Sequence, residues 1–148
     1  MTLLHPLVVF LHVLSISVWM AAALWVSGDV RRTLASGRPH VDALPARIRP
    51  ALGLDAAAGV ATLVTGLLVM WQEGITRPRL GITAGIVLTL VRIGLLAGVR
   101  RAFRSIADRI RAGEAVPVTD PAARRMAMLS GIAHVLWLLA LAGMVFPI

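Results

Sequence analysis

The chain has 148 residues, 58% of them apolar, with a mean hydropathy of +0.84 and a formal net charge of +8. That hydropathy is well above the norm for soluble domains and indicates a single-domain membrane protein, residues 1–148. All fifteen basic residues are arginines set between apolar stretches, which leaves no soluble basic face for nucleic acid; the absence of cysteine excludes disulfides, iron–sulfur clusters and thiolate zinc sites.

A membrane-spanning helix needs roughly 20 mostly apolar residues, and four segments supply them. The first runs from about Leu3 to Val26. Nothing positive precedes it, and Arg31 and Arg32 follow, so it reads as a retained helix and not a secretory signal. His5, His12 and Trp19 recur every seven residues, nearly two helical turns, and form one stripe with Ser15 beside it. His5 lies near the membrane surface. His12 lies about 13 Å below the outer end, where ionisable side chains are rare and usually functional.

The following loop holds Pro39, Pro45 and Pro50, which are expected to block a continuous helix, and an incidental His40. The second span, about Leu52 to Trp71, carries the helical stripe Asp55, Gly59, Thr62 and Gly66. A short turn with Arg77 and Arg79 leads to the third span, about Leu80 to Val99, with the stripe Gly81, Gly85, Thr89 and Arg92. Small residues at such spacing let helix backbones approach closely. Arg92 needs an anion inside the span. Two candidates stand: Asp55, which enters from the same side, and a ligand such as a heme propionate.

The third helix is expected to continue through "RRAFRSIADRIRAG" as a solvated or headgroup-facing extension, with Arg104 and Asp108 at pair spacing and a stop near Gly113. In "VTDPAARR", Thr119 or Asp120 is the N-cap and Pro121 the first helical residue of a helix leading into the fourth span, about Met126 to Phe146. That span carries His134.

Arginine counts orient the chain. Twelve lie in the segments Asp29–Ala51 and Arg100–Arg125, against two, Arg77 and Arg79, on the other side. The positive-inside rule then puts both longer loops in the cytoplasm and both termini outside. The expected architecture is an all-α, up-down-up-down four-helix bundle in a bacterial inner membrane, its third helix extended into the cytoplasm. In such a bundle the first and last helices are neighbours. His12 and His134 are expected at similar depth, facing one cavity, where two imidazoles suit heme iron and also copper.

The run "FLHVLSISVWMAAALWVSGDVRR" resembles the opening helix of the small four-helix membrane proteins grouped with the CopD copper-resistance domain and the HemJ-type protoporphyrinogen oxidases. The matching positions are His12, Trp19, Ala21 to Ala23, and Arg31 or Arg32; "LVTGLLVMW" and "LLALAGMVFPI" are similar too. The resemblance implies a protein that handles heme, porphyrin or copper, with His12 linked to heme b. The chain lacks the family's third-span Lys, and it reads "RRMAML" where an Asn-Glu pair enters the fourth helix. Porphyrinogen oxidation is therefore not the activity implied.

The leading expectation is a heme b-binding protein in electron transfer or heme-linked oxidation, with His12 and His134 as ligands and Arg92 on a propionate. A copper-handling protein is the alternative, although Met20, Met70, Met126, Met128 and Met144 are scattered. A non-catalytic subunit is the third reading. The expected partners are the lipid bilayer, a membrane redox partner or porphyrin-like ligand, and a second copy of the chain. There is no Gly-rich phosphate loop and no HExxH, and Asp55 is the one carboxylate inside a span, so hydrolytic and nucleotide chemistry find no footing.

Overall fold

A computed structural model describes residues 3–145. Four helices account for most of them: α1 (Leu4–Ser36), α2 (Leu44–Gln72), α3 (Leu80–Arg111) and α4 (Pro121–Val145), with a short 3-10 turn at His40–Ala43. No strand occurs among the described residues. Each helix is long and apolar enough to cross a membrane. Phe146, the expected end of the fourth span, lies outside the described residues.

The molecule is apolar on its outside along the spans. Phe10 is 61% exposed, Val87 52% and Trp71 76%, a pattern that calls for lipid as solvent. Helices of 33, 29 and 32 residues for α1, α2 and α3 are about 50, 44 and 48 Å long. The hydrocarbon core is about 30 Å thick, so each must project from it.

The surplus gathers at the arginine-rich end, where it packs like a small soluble core. Leu44, Ile48, Phe103, Ile106 and Met126 are fully buried there, with Leu34, Val41 and Ile110 around them. Two expectations change as a result. The loop prolines do not stop the second helix at Leu52; it begins eight residues earlier. Pro45 sits in the first turn, where the missing N–H costs nothing, and Pro50 lies inside the helix. Burial of Leu44 and Ile48 outweighs the one hydrogen bond Pro50 forfeits. The extension of α3 is likewise no merely solvated rod, because one whole face of it is buried. Asp108 pairs with Arg111 and not with Arg104.

Local signals place the helix ends as expected. Gly113, at φ +84, follows the last turn of α3 in the left-handed region. Asp120 caps α4: its Oδ1 accepts from the Ala122 N–H at 2.9 Å. The same carboxylate pairs with Arg109 of α3. Burial works against the charge on Asp120, but the Arg109 hydrogen bond and the Ala122 N–H outweigh it and hold the carboxyl below its usual range.

Helices α1 and α2 form one closely packed pair and α3 and α4 the other; α1 also touches α4, and α2 touches α3, more sparsely. The α1–α2 register is fixed by polar ties from three side chains, Arg47 reaching Thr33 as well as Asp29. His5 donates to Gln72 at 3.1 Å, His12 meets Thr65, and Arg47 grips Asp29 through two hydrogen bonds of 2.8 and 3.1 Å.

Candidate functional site

The polar residues inside the spans sort into two separate levels. At the first, His12 Nδ1 lies 3.0 Å from Thr65 Oγ1. The Thr65 hydroxyl proton is already given to the Ala61 carbonyl at 2.6 Å. Thr65 can therefore only accept from His12, so Nδ1 carries the proton and Nε2 keeps a free lone pair. The imidazole approaches α2 closely because residue 66 is glycine; a Cβ there would lie 3.0 Å from His12 Cε1. His12 lines a cavity of about 160 Å³ that opens between α2 and α3, with Gly66, Met70, Glu73, Ile82 and Ile86.

At the second level, Arg92 and Asp55 come together with their charged atoms 3.7 Å apart. The guanidinium carbon stacks 3.7 Å from the centroid of the Trp19 ring. Trp19 is 3% exposed and lies against Gly59, where a Cβ would fall 2.8 Å from the indole. His134 and Ser130 complete the lining of a cavity of about 20 Å³, enough for roughly one water. Asp55 Oδ1, both terminal nitrogens of Arg92 and His134 Nε2 are buried here without a hydrogen-bond partner in the protein; Thr62 Oγ1, in the wall of the His12 cavity, is another such atom.

The structure therefore does not bring His12 and His134 into one cavity. His134 lies beside the backbone of Ala23, eleven residues beyond His12 on α1, or about 16 Å along the axis. Counting depth from each helix end assumes that the ends are level, and they are not. Eleven residues up α4 from His134 is Val145, so the described part of α4 ends near the level of His12. The Arg92 side chain meets Asp55 and Trp19 and does not line the His12 cavity.

Thr65 is the contributor the sequence reading does not single out; Met70 counts there only as one of the scattered methionines, and Trp19 only as a member of the first-helix stripe and of the resemblance. The seven-residue stripe His5–His12–Trp19 did contain a signal for Trp19, since it placed the indole on the inward face. Ser15 bonds its own helix at the Leu11 carbonyl, His40 is exposed, and Trp25 and Trp71 face outward. Met126 is buried in the core while Met128 is 58% exposed, so these two do not act together.

The donors at the first level suit one axial position of a heme or a copper(I) ion: an imidazole nitrogen with its tautomer fixed, and a thioether. Among the described residues no three His, Asp or Glu side chains converge on one point. A heme carries its own four nitrogens and asks only one or two ligands of the protein. At the second level the charges of Arg92 and Asp55 already balance, so a metal cation beside His134 would be left without a counter-charge. No family model, curated protein or solved structure matches this chain, so the CopD- and HemJ-like resemblance rests on the quoted residues alone.

Proposed function

We propose that this chain is a multi-pass protein of a bacterial inner membrane that holds heme b through His12 and serves in electron transfer or heme-linked oxidation. Its helices run up-down-up-down, with both termini outside and the arginine-rich end, including the α3 extension, in the cytoplasm. One observation carries the reading: Thr65 Oγ1 accepts the hydrogen bond of the His12 Nδ1–H and leaves Nε2 as a ligand nitrogen beside an apolar cavity.

Met70 is the other side chain lining that cavity with a donor suited to iron. The cavity is open between α2 and α3, so its volume does not set the size of what it accepts. Bound heme supplies one-electron chemistry. The chain's part is to aim the imidazole, fix its tautomer through Thr65, and keep water away with Ile82, Ile86 and Leu67. A two-histidine ligand set is not part of this reading, and neither is a propionate on Arg92.

The test is an absorption spectrum of detergent-purified protein. A Soret band that shifts with dithionite is expected, lost in His12→Ala and kept in His134→Ala. A colourless preparation from heme-supplemented cells, or a band that survives His12→Ala, defeats the reading. The thioether beside an imidazole also favours copper(I). Metal analysis showing copper in a colourless preparation would move the function there.

A further inference from the structure

A second cavity lies on the same α2–α3 seam, at the arginine-rich end. It measures about 380 Å³ and is walled by Arg49, Arg100, Arg104 and Arg111, with one acid, Asp108. Four positive charges against one negative leave a net +3. Two of the four are committed: Arg100 donates to the Leu52 carbonyl at 2.8 Å, and Arg111 pairs with Asp108. Arg49 and Arg104 are exposed and carry no ion pair among the described residues. The floor is apolar: Phe103 is 2% exposed, Leu52 5% and Ala107 1%.

A solvated charge run needs neither a concave shape nor an apolar floor. Guanidinium forks match phosphate oxygens in geometry as well as charge. From this cavity the seam leads along α3 to Ile86 in the wall of the His12 cavity. Arg100 to Ile86 is fourteen residues, about 21 Å of helix, against about 15 Å for half the hydrocarbon core. The seam is sparsely packed, and Leu90 on α3 is 51% exposed. A phosphate at the arginines thus has an apolar track beside it about one leaflet deep.

We infer that this cavity is a specific site for the phosphate headgroup of an anionic phospholipid, gripped by Arg49 and Arg104, with the acyl chains along the α2–α3 seam. The site is independent of what His12 binds. A free phosphate would satisfy the arginines but would leave the apolar floor and seam without use.

The test uses delipidated, detergent-purified full-length chain, titrated with phosphatidylglycerol, phosphatidylcholine or inorganic phosphate, with melting temperature and affinity as readouts. Phosphatidylglycerol is expected to raise the melting temperature and to bind at least about tenfold tighter than phosphatidylcholine. Each arginine near an anionic lipid is worth about fivefold in affinity, so Arg49→Gln with Arg104→Gln should weaken binding about 25-fold. Arg31→Gln with Arg101→Gln, the same charge loss from exposed positions outside the cavity, should change it less than about twofold. Equal loss in the two double variants, or no preference for phosphatidylglycerol, overturns the site. Stabilisation by inorganic phosphate as large as that by phosphatidylglycerol overturns the lipid as its occupant.

Discussion

The Arg92–Asp55 pair is the sharpest place to test the buried architecture, because its energetics depend on geometry and not on any cofactor. Two unit charges 3.7 Å apart attract by about 4–5 kcal/mol at an effective dielectric of about 20. Arg92→Met leaves the Asp55 carboxylate buried without its cation, a loss expected to cost about 3–5 kcal/mol. Asp55→Leu leaves Arg92 still stacked on Trp19. That stacking retains up to about 2 kcal/mol, so this is the milder change. Arg92→Met together with Asp55→Leu removes both charges and the desolvation that opposed them. The double variant should therefore be nearly as stable as the parent, or more so. The assay is thermal unfolding in detergent, followed by tryptophan fluorescence. At about 2–4 °C per kcal/mol for a chain of this size, Arg92→Met should melt about 6–20 °C lower and the double variant close to the parent. If the double variant loses the sum of the single losses to within about 0.5 kcal/mol, the two charges do not sense each other and the second level is not built as described.

Thr65→Val keeps the shape of the side chain but removes the acceptor that fixes the His12 tautomer. Heme or copper affinity should fall about 10–100-fold by spectral titration, and unchanged affinity would sink the ligand assignment. Gly59→Ala drives a Cβ to 2.8 Å from the buried Trp19 indole and should cost about 1–3 kcal/mol. Gly53→Ala, on the same helix with nothing within 4 Å, should instead stabilise by up to about 1 kcal/mol in the same melts; equal effects at the two positions would contradict the Trp19 packing. Asp120 has its carboxyl held below the usual range, so its contribution is present above the unfolded carboxyl range and is lost as pH falls through the lower, folded value. Melting temperature followed from pH 7 to pH 3 should drop less steeply in Asp120→Asn than in the parent, and identical slopes would refute the Arg109–Asp120 tie. Asp120→Ala at pH 7 should cost about 1 kcal/mol for the lost cap.

What could be read from the sequence was what is set locally. Four helices follow from four apolar lengths, and the start of α4 follows from Asp120 and Pro121, because a cap needs only its own next two residues. Gly113 marks the end of α3 for the same reason. The start of α2 could not be read this way. Pro45 and Pro50 argue for a loop on propensity, and only the burial of Leu44 and Ile48 in the core shared by the four helices decides otherwise. Which histidine faces which cavity depends on the offset between α4 and α1, a quantity no single helix encodes. Asp55 and Arg92 enter from the same side on different helices, which made their pairing foreseeable as one of two options. The indole beneath the guanidinium was not foreseeable, although the stripe from His12 had already turned Trp19 inward.

The separation of the two levels also assigns the charges a logic. Around His134 the fixed charges are Asp55 and Arg92, which sum to zero, so that level can remain in hydrocarbon without a counter-ion. A metal cation added there would leave an uncompensated positive charge in a cavity of about 20 Å³, a costly arrangement inside a span. Around His12 the cavity wall holds one ionisable group besides the imidazole, the Glu73 carboxylate, and no cation. A metal centre entering that cavity would find a carboxylate in its wall to balance its charge. Glu73→Gln should therefore weaken binding of the metal or heme there without altering melting of the cofactor-free protein, whereas the same affinity in both proteins would mean that the carboxylate stays with solvent and the cavity's charge balance plays no part in binding.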